Sequence, residues 1–232
     1  MNPRGVETVL LDAGGVLLDL DYSYLVRLCR AYGVQTDAAT LSRHEARARV
    51  EIHRAVQGGA RVGDMWRSYF HQMLTQVGLS EDDQPEFIDS LWEAHQKFGL
   101  WSVAIEGAIE TVRTLKDRGY RIGVVSNAEG RVGHDLERAG FDGMFETIVD
   151  SHHVGVEKPD PKIFHIAMQR MGVGGEAAIF VGDVPAVDIV GAQRAQLRPL
   201  LIDRHDLYPE VDVPRLSSIA ELSSWLLTSS ES

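Results

Sequence analysis

Four short stretches of this chain put reactive side chains where a strand would end. Asp12 follows the apolar run Val6 to Leu11 and precedes Gly14-Gly15, so a carboxylate projects into a turn whose backbone N–H groups can approach an anion. Ser126-Asn127 closes the run Tyr120 to Val125 and precedes a helical pattern over 130–139, which sets a hydroxyl and backbone amides at a helix N-terminus, a ready phosphate site. Lys158 lies in Glu157-Lys158-Pro159-Asp160-Pro161, where two prolines stiffen the chain beside an ammonium able to offset phosphoryl charge. Asp183 and Asp188 follow Ala177 to Val181, spaced so that a turn can bring both carboxylates to one ion. Each stretch alone has an ordinary reading as a strand-to-helix turn, an N-cap serine, a solvated lysine or a capping carboxylate. Their order on successive strand ends is what points to chemistry.

Short apolar runs alternate with helical patterns through most of the chain, and that alternation predicts a parallel sheet covered on both faces. Further runs are Thr147 to Val149, ending at Asp150, and Leu200 to Ile202, ending at Asp203. Between runs, Gly107 to Arg118 places Ala108, Ile109, Val112 and Leu115 on one helix face before Gly119 stops it. The region 21–98 differs. It has helical stretches near 22–32, 37–57, 62–77 and 83–97, separated by Gly33, Gly58-Gly59 and Gly78, and no strand-like run. The expected division is a core of 1–20 plus 99–232 and an inserted helical domain of 21–98, joined above the carboxyl ends of the strands, where open α/β folds bind ligands. Trp66, Tyr69, Phe70 and Met73 read as the insert's core, Cys29 as a buried helix residue, and Arg43, His44 and Arg47 as a charged face. The polar tail Thr228–Ser232 is expected to fray.

With 232 residues, 44% of them hydrophobic, the chain can bury a full core. Its 23 basic and 34 acidic residues give a formal charge of -11, which repels a phosphate backbone and argues against nucleic acid as a partner. A single cysteine, no zinc-like Cys/His spacing, no secretory pattern and no membrane-length apolar run favour a cytoplasmic setting away from membranes.

The four motifs taken in order resemble the haloacid dehalogenase superfamily, whose motifs run nucleophilic Asp, Ser or Thr, Lys, and an acidic cluster written GDxxxxD. Here that cluster is Gly182-Asp183-Val184-Pro185-Ala186-Val187-Asp188, and the KPDPxIF and VGD contexts match too. The resemblance covers nearly the whole chain. It implies an α/β fold with a Rossmann-like parallel sheet of strand order 5-4-1-2-3, an inserted α-helical cap, and a phosphatase acting on a small phosphorylated molecule as a monomer or homodimer. Asp12 would be the nucleophile. Mg2+ would be held by Asp12, the carbonyl of Gly14 and Asp183, with Asp188 an orienter or occasional ligand. Ser126, the amide of Asn127 and Lys158 would bind the phosphoryl oxygens.

The departure is Gly14, where the family's phosphatases usually carry a second Asp that protonates the leaving group and later activates water. Asp19, Asp21 or a cap histidine such as His44 are candidate substitutes. Two other readings stay open. A 2-haloacid dehalogenase also lacks the second Asp, but generally carries a neutral residue in place of Asp183. A non-catalytic member would keep the fold and bind a ligand or partner. The family's Schiff-base phosphonate route needs a cap lysine, and residues 18–96 contain none.

Overall fold

A computed structural model describes residues 5–227. The tail Thr228–Ser232, expected to fray, lies outside them. Strands β1 (Thr8–Leu11) and β2 (Leu18–Leu20) lead into helices α1 (Tyr22–Ala31), α2 (Ala38–Gln57), α3 (Trp66–Gln76) and α4 (Gln84–Phe98). The chain returns through β3 (Trp101–Ala104) and continues as α5 (Ala108–Asp117), β4 (Arg121–Ser126), α6 (Val132–Leu136), β5 (Thr147–Asp150), α7 (Ser151–Val154) and α8 (Pro161–Met171). It ends with β6 (Ala178–Gly182), α9 (Asp188–Arg194), β7 (Arg198–Ile202), β8 (Arg215–Leu216) and α10 (Leu222–Leu227). Two compact units result, one of residues 20–102 and one of the segments before and after them.

The α/β unit is built on a six-stranded sheet ordered β5-β4-β1-β6-β7-β8, with every pair parallel. Counting strands of this sheet along the chain, the first five stand in the expected order 5-4-1-2-3 when read from the β7 side. β8 extends that edge, and its two residues form no apolar run that would announce it. β1 and β6 are buried along their whole length, as befits strands covered on both faces. Leu10, Val125, Val149 and Phe180 pack there with Ile163, Phe164 and Ala167 of α8. Register then sets the site. Leu11 pairs with both Val124 and Val181, and Ser126 pairs with Asp150, so the strands finish nearly level and their next residues share one edge.

α6 starts later than the pattern over 130–139 suggests. The Asp150 carboxylate takes up the N–H groups of Gly130 and Val132, and the loop is held open by that capture. The helix then widens through Glu137–Phe141, with a kink inside it at Gly140, whose φ is 100°.

The helical unit has its own core, in which Leu25, Cys29, Leu41, Phe70, Met73, Phe87 and Leu91 are buried and Trp66 and Tyr69 pack against them. Burial pushes the Cys29 thiol up to about 11. One buried charge ties three helices together. Glu45 of α2, with its side chain 2% exposed, accepts from Arg49 one turn on, from the Tyr22 hydroxyl of α1 and from the Tyr69 hydroxyl of α3. Burial, and then the Glu45 charge, hold the Tyr69 phenol well above its ordinary value, so it remains a donor. Removing one side of such a pair costs more than the pair contributes, because the other groups stay in the interior. Glu45→Ala is therefore expected to lower unfolding stability by about 3 kcal/mol. Three of the four tryptophans, Trp66, Trp92 and Trp101, lie in this unit, so denaturant titration by tryptophan fluorescence reads the change. An unmoved midpoint would show that the network contributes nothing.

Candidate active site

The edge where β1, β4 and β6 finish gathers the side chains that the motifs single out. The main chain of Asp12 is anchored by its N–H to the Val181 carbonyl, 2.9 Å away across the β1–β6 pair, and its Oδ1 accepts from the Ala13 N–H at 2.7 Å. The turn that follows folds tightly. Leu17 and Leu18 both donate to the Ala13 carbonyl, and Gly15 donates to Leu18. Gly15, at φ 77°, takes the left-handed conformation that favours glycine, and Gly14 does not.

Lys158 enters this edge from the loop before α8. Its Nζ lies 2.8 Å from Asp12 Oδ2 and 2.8 Å from Asp188 Oδ1, and the side chain is 1% exposed. The ammonium also stands 5.3 Å from the centre of the Phe180 ring. Burial works against its charge, but Asp12 and Asp188 outweigh burial and lift the lysine above its ordinary value, so it stays protonated. Asp12 is pushed up to about 6. Burial is the main cause, Lys158 opposes it, and the Asp188 charge adds to it.

Asp12, Asp183 and Asp188 are all buried and each offers an oxygen within 4.8 Å of the others. Asp188 holds the group together. Its Oδ2 accepts from the N–H groups of Asp183 at 3.0 Å and Val184 at 2.9 Å, while Oδ1 faces Lys158. This grip is possible because Gly182 has no side chain. A Cβ there would fall 2.3 Å from the Cβ of Asp188. With three bonds already accepted, Asp188 is better placed to fix the Asp183 main chain than to bind an ion itself. Three carboxylates against one ammonium, which contacts two of them, leave two negative charges in excess, and an all-oxygen donor set with that excess suits a hard divalent cation.

Ser126 ends β4, buried, on the same edge. The carboxamide of its neighbour Asn127 does something the sequence does not reveal. Oδ1 accepts from the Lys158 N–H at 2.7 Å, and Nδ2 donates to the Lys158 carbonyl at 3.0 Å, so Asn127 grips the lysine's main chain at two points. Two of the three proposed acid substitutes are otherwise engaged. Asp19 accepts two bonds from the Arg204 guanidinium, at 2.7 and 3.0 Å, and Asp21 caps α1 through the Tyr24 N–H. Burial, then Arg47 and Arg43, lower the pKa of His44, which keeps it neutral near pH 7. His152 and His153 are exposed and lie against Gly130.

Comparison with known proteins identifies the family and the fold. The sequence profile of the haloacid dehalogenase-like hydrolases matches residues 6–196. A glyceraldehyde 3-phosphate phosphatase of Methanopyrus kandleri is 31% identical over 190 residues, covering 75% of this chain and 81% of its own. Among solved structures, the protein YfnB of Bacillus subtilis, solved bound to magnesium, superposes with a TM-score of 0.73 at 20% identity, covering 96% of this chain and 99% of that one. A dehalogenase solved with an intermediate complex gives a TM-score of 0.68 at 22% identity, covering 96% and 97%. The two structures establish the fold, and the profile match establishes the lineage. The chain belongs to the haloacid dehalogenase-like hydrolases.

Proposed function

We propose that the protein is a magnesium-dependent phosphatase of small phosphorylated metabolites, working through an aspartyl-phosphate on Asp12 without the usual acid/base aspartate. The observation that carries this reading is the buried cluster of Asp12, Asp183 and Asp188 with Lys158 between two of its members. The phosphatase relative from Methanopyrus supports a small phosphorylated substrate. A single buried cysteine supports a reducing, cytoplasmic setting, and among the described residues no helix is long and apolar enough to cross a membrane.

Asp12, the Gly14 carbonyl and Asp183 are the groups that would hold the metal, with Asp188 fixing Asp183. Bound there, Mg2+ supplies charge neutralisation at the phosphoryl oxygens. Lys158 offsets the Asp12 charge, so that a phosphate dianion can approach the carboxylate. Ser126 and the Asn127 amide orient the phosphoryl group. An Asp12 oxygen then attacks phosphorus, the bond from phosphorus to the leaving oxygen breaks, and the leaving group departs with its electron pair. Water next attacks the same phosphorus, the bond to Asp12 breaks, and orthophosphate leaves. Gly14 gives no proton in the first step and takes none in the second, so the reaction favours leaving groups stable as anions. The residues of the helical insert 21–98 act as the cap that selects the substrate.

Wild type is expected to hydrolyse an aryl phosphate only with magnesium, and Asp12→Asn to lose that activity. No turnover in either protein, together with release of halide from chloroacetate, would favour the dehalogenase reading. Inactivity on both substrates would leave ligand binding without chemistry.

Gly14→Asp places a carboxylate two residues after the nucleophile, at a position that does not take the left-handed conformation. It is expected to raise kcat on alkyl phosphates by about 10²-fold, the lower end of general acid/base help. An unchanged rate would mean that another group already serves.

Proton and metal compete for Asp12. With its carboxyl at about 6, magnesium affinity is expected to be level above that pH and to fall about tenfold per pH unit below it. Calorimetry between pH 5 and 8 tests this, and a flat profile would exclude Asp12 as a ligand.

A further inference from the structure

The chain leaving Ser126 has no strand beside it, yet two neighbouring residues at the end of β5 hold it. Ser151 Oγ lies 3.1 Å from both the N and the O of Ala128, so the hydroxyl accepts from the amide and donates to the carbonyl of one residue. Asp150, buried, accepts from the Gly130 N–H with both oxygens, at 3.0 and 3.1 Å, and from the His152 N–H at 3.0 Å. These bonds replace the ladder that the backbone loses beyond β4. Gly130 fits closely against this support, since a Cβ there would meet the His152 ring at 2.9 Å.

The geometry repeats one residue earlier, facing the other way. Ser151 takes Ala128 by its N–H and C=O, and Asn127 takes Lys158 by its N–H and C=O. Two reciprocal pairs in series thus run from β5, through the loop after β4, to the lysine whose ammonium bridges Asp12 and Asp188. Neither Ser151 nor Asp150 has a place in the phosphoryl chemistry.

We infer that Ser151, supported by Asp150, is a positioning residue that fixes Ala128 and so sets the Asn127 grip on Lys158; the inference rests on reading Ser126, Asn127 and Lys158 as the phosphoryl-binding group. Removing the hydroxyl frees the Ala128 peptide, Asn127 turns with it, and the lysine loses its fixed approach to Asp12. Such displacement costs rate without removing any group that touches substrate.

The test compares Ser151→Ala, Ser151→Thr and Asn127→Ala in the full chain. It reads amide hydrogen exchange at Ala128 and Lys158 by NMR, and kcat and KM on an aryl phosphate with magnesium. Ser151→Ala is expected to speed exchange at both amides and to lower kcat about tenfold, Asn127→Ala to speed exchange at Lys158 and lower kcat at least as far, and Ser151→Thr to restore the wild-type values. A structural role alone would lower the melting midpoint and leave kcat per folded molecule unchanged, and that result overturns the inference. So would unchanged exchange at Lys158 in Ser151→Ala, or failure of threonine to restore it. If the wild type hydrolyses no phosphate ester, the phosphatase reading falls by itself, and the exchange rates still decide whether Ser151 sets the grip on Lys158.

Discussion

Three carboxylates brought to one buried edge repel one another, and burial raises the free energy of each charge further. The Lys158 ammonium makes that arrangement tenable. It contacts a carboxylate of β1's end and another from the start of α9, so the turn after β1, the loop before α8 and the turn after β6 are referred to one point. Its reach continues through Asp188, whose second oxygen fixes the main chain of Asp183 and Val184. Gly182 belongs to the same constraint, because any larger residue would displace Asp188. The Asp12 carboxyl still stands at about 6, because burial outweighs the pull of the ammonium.

The same constraint asks nothing of a side chain at position 14. The bonds that position Asp12 come from the Val181 carbonyl of β6, from the Ala13 N–H and from Lys158, and none of them passes through a side chain at position 14. Asp19 is held by Arg204, and Asp21 caps α1.

The strand-end residues are legible in the sequence because each motif is local: an apolar run, then a reactive residue, within a few positions. Buried parallel strands also announce themselves as unbroken apolar runs, which is why β1, β4 and β6 could be read, while their order in the sheet followed from the family resemblance alone. What stays hidden joins distant segments. Asn127 and Lys158 lie 31 positions apart, and Asp150 and Gly130 lie 20 apart, so their bonds exist only after the sheet has set its register. Asp150 looks like one more acidic strand end, and its capture of the Gly130 and Val132 amides is why α6 begins later than its periodicity suggests. β8 escapes notice because two residues carry no pattern. Nothing local on α2 marks Glu45 as buried, because the two tyrosines on its carboxylate come from other helices.

Cys29 gives the helical unit a built-in clock. Its thiol is fully enclosed and its pKa stands near 11, so neither the access nor the thiolate that alkylating and oxidising reagents require exists while α1 is seated. Modification must wait for the bundle to open, and no second cysteine competes for reagent. The rate at which this one sulfur reacts therefore measures how often the helices part, independently of whether the strand edge performs any chemistry.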